Sequence, residues 1–155
     1  LRPDLVWKLA GNYQNIIGLK DTVGDMAHTR AMIQKVKKDF PNFQIYSGFD
    51  EFFGHNALSG GDGCIAGLSN FAPEVAAGYA RAARMDDLKS MCLYQRKVDE
   101  LMSIYNVGQQ FIPMIKKAMI LRGMEMEPFC AQPMREADEG ETEEIRSILK
   151  QAKLL

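Results

Sequence analysis

Apolar positions recur at two different periods along the first half of this chain. Residues 4–11 place Leu5, Val6 and Leu9 at helical spacing, and Gly11 stops the run. Asn15–Lys20 then reads as a strand. Ile16, Ile17 and Leu19 make it apolar on both sides, as in a parallel strand covered by helices. Asp25 can cap a following helix in which Met26, Ile33, Val36 and Phe40 form the stripe, with Pro41-Asn42 ending it. The pattern repeats. Phe43–Ser47 is a second strand with Gly48-Phe49-Asp50 at its end, and a helix runs through Phe53, Ala57 and Leu58 until Gly60-Gly61 breaks it. Gly63–Leu68, holding Cys64, Ile65 and Ala66, is a third strand, and Pro73 opens a helix through Ala83. Three strand–helix units with short joints predict parallel strands and right-handed crossovers.

The second half keeps the helical period. Residues 87–105 carry Leu88, Met91, Val98, Met102 and Tyr105 on one face, and a further helix over 112–122 begins near Pro113. Residues 124–140, with Pro128, Pro133 and Gly140, read as a loop. Thr142 can cap a last helix with Glu143 and Glu144 in its first turn and Ile145, Ile148, Leu149 and Ala152 as its stripe. The expected organisation is α/β, with barrel-type units over residues 1–85 and a helical extension over 86–155.

Composition narrows the classes. The 155 residues are 46% hydrophobic and 25% charged, enough for one domain with a real core. A net charge of −1 gives no electrostatic case for nucleic acid or an anionic membrane. No apolar run approaches the ~20 residues of a membrane span, and no segment has signal-peptide anatomy. Cys64, Cys92 and Cys130 are odd in number and far apart, which argues against a disulfide framework or a zinc knuckle. They read as packed apolar residues in a protein of the reducing cytoplasm. The chain opens at Leu1 inside the first turn of a helix, with Pro3 as an early helical residue, which reads as a start in mid-protein.

In an α/β protein the ends of parallel strands hold the site. Here those ends are Lys20-Asp21-Thr22, Ser47-Gly48-Phe49-Asp50-Glu51 and Ala66-Gly67-Leu68-Ser69-Asn70. Alternation puts Ile16, Gly18, Lys20 and Thr22 on one side of the first strand. If that side is a barrel interior, Lys20 points into its centre at the rim, where an amine can form an imine with a carbonyl substrate. A free lysine has a pKa of ~10.4, and burial tunes catalytic lysines toward ~7–8. The spacing by itself favours an ion pair of Lys20 with Asp21 or Asp25. Asp50 and Glu51 equally suit helix capping and first-turn charge. His28 and His55 have no nearby ligand set, so no metal is expected. Gly60-Gly61-Asp62-Gly63 precedes a strand instead of opening a helix, which makes it a poor phosphate loop.

Read as words, these segments resemble a known group. Asn15-Ile16-Ile17-Gly18-Leu19-Lys20-Asp21-Thr22-Val23-Gly24-Asp25 is similar to the Schiff-base lysine strand of the dihydrodipicolinate synthase / N-acetylneuraminate lyase superfamily, pyruvate-dependent class I aldolases on a (β/α)8 TIM barrel. The resemblance continues through Tyr46-Ser47-Gly48-Phe49-Asp50-Glu51, Gly60-Gly61-Asp62-Gly63-Cys64-Ile65-Ala66 and Ile112-Pro113-Met114-Ile115-Lys116. It implies Lys20 as the imine-forming residue with pyruvate or another 2-oxo acid, without a cofactor. It implies Gly48 and Ile65 as lining of the pyruvate pocket, and Thr22, Asp50 and Glu51 as contacts to the hydroxylated part of the substrate. Gly67 departs from the lyase branch, which carries a hydroxyl residue there.

The implied activity is cleavage of a 2-keto-3-deoxy sugar acid or related 2-oxo acid to pyruvate and an aldehyde, with dihydrodipicolinate synthase as the alternative. The implied assembly is a homotetramer. The three strands match the sixth to the eighth of the barrel, followed by the C-terminal helices. The family's carboxylate-binding loop and proton-relay tyrosine lie on earlier strands, and Tyr13, Tyr46 and Tyr79 do not occupy that motif. Three strands cannot close a barrel. The chain is therefore expected to be the C-terminal half of a longer or split enzyme, needing an N-terminal half-barrel as partner. The remaining alternative is a non-catalytic half-barrel that serves as an assembly module.

Overall fold

The three expected strands all form, parallel and adjacent in chain order. A computed structural model describes residues 1–155, and in it the strands are β1 (Gly18–Asp21), β2 (Gln44–Ser47) and β3 (Gly63–Cys64). β2 lies between the other two. Leu19 pairs with Ile45, Lys20 with Tyr46, and Asp21 with Ser47, while Tyr46 and Ser47 meet Gly63 and Cys64.

Each strand is shorter than its apolar run predicts. Residues 15–17 precede β1, and Asp21 rather than Lys20 ends it. Ile17 still accepts a hydrogen bond from Gln44 N at 2.9 Å, but its side chain is 68% exposed. β2 starts one residue late, at Gln44. β3 stops at Cys64 instead of Leu68. One more bond, from Ile65 N to Ser47 O at 2.9 Å, follows it before the chain turns into a 3-10 segment at Leu68–Asn70. An apolar run marks burial and approach to a ladder, but not which of its residues pair.

The chain divides into two compact units, Leu1–Ala66 and Gly67–Leu155. The first contains α1 (Pro3–Asn12), α2 (Met26–Val36) and α3 (Phe53–Leu58) with the sheet. Pro3 sits in the first turn of α1, and Asp25 caps α2 by accepting from Ala27 N at 2.9 Å. α2 ends at Val36, four residues before Phe40, and a turn follows in which Asp39 N and Phe40 N both return to Val36 O. That turn brings the Phe40 ring to 6.0 Å from Trp7. Val6, Met32, Ile33, Val36, Phe43 and Ile45 make the core, with Trp7, Ala10, Ile16, Leu19 and Phe40 packed on it.

Helices therefore cover only one face of the sheet, the face of Leu19 and Ile45, and not both as the apolar pattern predicts. Gly18, Lys20, Gln44, Tyr46 and Gly63 have the opposite parity in the register and share the other face.

β3 is docked by a polar device. Asn56 is fully buried; its Nδ2 donates to Ile45 O at 3.2 Å and its Oδ1 accepts from Gly63 N at 3.3 Å. A Cβ at Gly61 would lie 2.3 Å from Asn56 Oδ1, so only glycine fits. Asp62 accepts from Ile45 N and from Lys37 Nζ, both at 2.7 Å. The Gly60-Gly61-Asp62-Gly63 word thus joins strands.

The second unit holds α4 (Pro73–Arg84), α5 (Leu88–Leu101), α6 (Phe111–Leu121) and α7 (Glu139–Gln151). α4 packs on α5, and α6 on α7. The long helix predicted over 87–105 passes into a 3-10 segment at Met102–Asn106. The α7 cap is Asp138, not Thr142. Asp138 accepts from Glu141 N at 2.9 Å and Glu141 answers by accepting from Asp138 N, which makes Glu139 and Glu141 the first-turn acids. Cys130 is buried as expected, whereas Cys92 is exposed on α5. No helix is long and apolar enough to cross a membrane.

Asn56→Ala is expected to lower the unfolding free energy by about 1–3 kcal/mol, because Gly63 N–H and Ile45 C=O each lose their bond to the buried Asn56 amide. Urea denaturation checks this; an unchanged midpoint would show that the Asn56 bridge does not hold β3.

Candidate active site

Lys20 stands on the uncovered face of β1, exposed, beside Tyr46 on β2. Its neighbour Asp21 leaves on the opposite face and is 4% exposed. Asp21 Oδ2 accepts from Thr29 Oγ1 at 2.7 Å and meets His28 Nδ1 at 3.1 Å; His28 Nε2 lies 2.9 Å from Leu1 O. Asp25 is engaged as the α2 cap. Both carboxylates that sequence spacing offers to Lys20 are thus committed to α2, and the ion pair is not formed with either. His55 Nε2 lies 3.1 Å from Met26 O, a structural contact, and no group of three or more His, Cys, Asp or Glu side chains is arranged to hold a metal ion.

Beyond the β1 and β2 ladder the pairing continues, with Gly48 N donating to Asp21 O at 3.1 Å. That bond sets Gly48 against Thr22. A Cβ at position 48 would lie 1.9 Å from Thr22 Oγ1 and 2.9 Å from Thr22 Cα. Two of the expected pocket residues therefore form a close-fitting shelf at the ends of the two strands. Asp50 and Glu51 follow in the 3-10 turn Asp50–Phe52. Asp50 is 6% exposed, and Oε2 of Glu51 is shielded from solvent. The cap position of this turn is Phe49, not Asp50; its ring meets Phe52 edge-on at 5.5 Å. Ile65 is 51% exposed and, two residues past Gly63, has the parity of the Lys20 face.

Cys64 reports the electrostatics of this corner. Burial pushes its thiol from 9.0 up to about 11. The Asp50 and Glu51 carboxylates push the same way, against the Ser47 hydroxyl and the Lys20 ammonium. Its Sγ–H donates to Phe49 O at 3.5 Å. Lys20, Asp50 and Glu51, apart in sequence by up to 31 positions (51 − 20), thus act on one atom. Sequence reading missed Cys64, Ser47 and the Asp21–Thr29–His28 contact. For the last a signal exists: Thr29 and His28 fall one turn into the helix that follows Asp21.

A lysine, a threonine shelf and two carboxylates thus gather at the ends of parallel strands, the place where α/β barrels carry their sites. The chain matches the dihydrodipicolinate synthetase family over residues 1–152 and belongs to it. It is 36% identical over 149 residues to the probable 2-dehydro-3-deoxy-D-pentonate aldolase YjhH of Escherichia coli, covering 96% of this chain and 50% of that one. It is 34% identical over 154 residues to the putative 2-dehydro-3-deoxy-D-gluconate aldolase YagE of the same organism, 99% of this chain and 51% of that one. The crystal structure of YagE in complex with pyruvate superposes with a TM-score of 0.96 at 34% identity, over 100% of this chain and 52% of that one. Dihydrodipicolinate synthase from Thermotoga maritima superposes at 0.90 with 27% identity, over 99% of this chain and 51% of that one. The chain spans about half the length of these relatives, and its three strands and helices match the C-terminal half of the family's TIM barrel.

Gly48→Ala is expected to destabilise the first unit by about 1–3 kcal/mol through overpacking. Adding Thr22→Ala should not restore it, because the Thr22 Cα would remain in contact; paired denaturation curves of the single and double variants decide. Cys64 should alkylate at pH 8 about a hundredfold more slowly than an unshifted thiol, since thiolate fraction falls tenfold per pKa unit. Peptide-resolved labelling measures this against exposed Cys92. The raised pKa means that the folded chain holds its proton longer, so stability falls as pH rises from about 9 to about 11.

Proposed function

We propose that this chain carries the imine-forming side of a pyruvate-dependent aldolase site that cleaves a 2-keto-3-deoxy sugar acid. The observation that carries the reading is the position of Lys20. It stands on the uncovered face at a strand end, both adjacent carboxylates are held elsewhere, and the Thr22–Gly48 shelf lies next to it. The naming of YjhH and YagE after 2-dehydro-3-deoxy sugar-acid aldolase activity, and the pyruvate bound in the YagE crystal structure, support it.

In this mechanism neutral Lys20 Nζ attacks the keto carbon, water leaves, and a protonated imine forms. A base, for which the resemblance offers the proton-relay tyrosine of the first half, takes the proton of the hydroxyl on the departing carbon; the electron pair of the breaking C–C bond flows into the imine, and the aldehyde departs. The resulting enamine takes up a proton, and water then releases pyruvate and the free amine. Gly48 and Ile65 line the pyruvate end, while Thr22, Asp50 and Glu51 address the hydroxylated end. No cofactor is needed, because the imine is itself the electron sink.

The working enzyme is a complete barrel: residues 1–85 of this chain with a complementary first half, and residues 86–155 as its helical extension. It would act as a homotetramer in the reducing cytoplasm. Dihydrodipicolinate synthesis is the second reading, favoured by the likeness to the Thermotoga maritima enzyme at lower identity.

In the complete barrel, pyruvate with borohydride should attach irreversibly to Lys20, as located by mass spectrometry. Lys20→Ala should abolish the adduct and cut retro-aldol turnover by on the order of 10³-fold or more. An adduct on another lysine would sink the proposal. The isolated chain should show little or no turnover, and robust turnover from it would contradict the need for a first half.

A further inference from the structure

We infer that Asp21 is a positioning residue for Lys20, acting through a buried clamp to Thr29 and His28; the inference rests on Lys20 being the nucleophile. Three observations carry it. Asp21 ends β1 with 4% exposure, on the helix-covered face where its parity partners are Leu19 and Ile45. Its Oδ2 is held by Thr29 Oγ1 at 2.7 Å and by His28 Nδ1 at 3.1 Å, with Thr29 itself 3% exposed. Its backbone carbonyl accepts from Gly48 N at 3.1 Å, so the same residue ties the shelf to the strand.

A carboxylate on the face of a sheet that packs on helices is costly unless its lone pairs are met. Both donors come from the first turns of α2, so Asp21 meets them only with β1 in its present register and pleat. A slip of one residue would carry the carboxylate to the open face and Lys20 into the core. The clamp thus does two things for the amine. It fixes the face from which Lys20 emerges, and it keeps the adjacent carboxylate from pairing with the amine.

A contact that only stabilises the fold would change the melting point and leave imine chemistry per folded molecule alone. The two roles separate in the complete barrel, by borohydride trapping of pyruvate across a range of pyruvate concentrations, with circular dichroism as the check on folding. Thr29→Ala and the isosteric Asp21→Asn should slow trapping at saturating pyruvate by about tenfold to a hundredfold, with the half-saturating concentration unchanged. Thr29→Ser, which keeps the hydroxyl, should restore most of the rate. Wild-type trapping rates in folded Thr29→Ala or Asp21→Asn would overturn the inference, as would a Thr29→Ser as slow as Thr29→Ala. Absence of any Lys20 adduct in the wild-type barrel would instead overturn the imine reading on which this inference stands.

Discussion

Consecutive side chains of a strand leave on opposite faces, and in this protein that constraint separates Lys20 from Asp21. The two are covalent neighbours of opposite charge, yet the pleat turns one to the open side of the sheet and the other into the helix layer. Everything at the rim depends on that separation holding. Leu19 and Ile45 anchor the covered face through the apolar core, and Asp21 adds a polar anchor at the strand end through Thr29 and His28. With the register fixed from one side, Gly18, Lys20, Tyr46 and Gly63 align on the other.

The glycines act through space and not through flexibility. Gly48 lets Thr22 lie across the end of β2, and Gly61 lets Asn56 enter between α3 and β3. In each case the missing Cβ is replaced by the polar atom of another residue. This is how a sheet of four-residue and two-residue strands stays in register. Short ladders provide few backbone bonds, and side-chain bonds from buried Asn56 and from Asp62 complete them. Such bonds are directional, so they specify one alignment where apolar packing alone would tolerate several.

Charge at the rim is unevenly shared. Asp50 and Glu51 enter from the turn after β2, Lys20 from β1, and all act on Cys64. Burial dominates there, and the two carboxylates outnumber the single ammonium, so the corner disfavours a further anion on the thiol. A substrate's hydroxyl groups can donate to such carboxylates, which suits the end of the site proposed to meet the polyol part.

Much of this was legible in the chain itself. Three βα units, their order, the Asp25 cap and the strand-end lysine all follow from local periodicity and turn chemistry, which need only neighbouring residues. Whether Lys20 pairs with Asp21, where β3 stops, and which residue caps α7 were not legible, because each is decided by which groups meet in space and not by the spacing that suggests them. Thr29 takes the carboxylate, the chain after Ile65 turns into a 3-10 segment, and Glu141 reciprocates with Asp138. The expectation of helices on both faces of β1 failed for the same reason: an apolar run records that a residue avoids water somewhere, while only the sheet register says which side is covered. Sequence by itself determined the kinds of elements, because these rest on spacing along one strand or helix, and it offered Lys20 as candidate nucleophile through its strand-end motif and the resemblance that motif carries. Tertiary structure alone decided which atoms meet, because close approach at Gly48, Gly61 and Asp21 depends on how strand, turn and helix are set against one another in space.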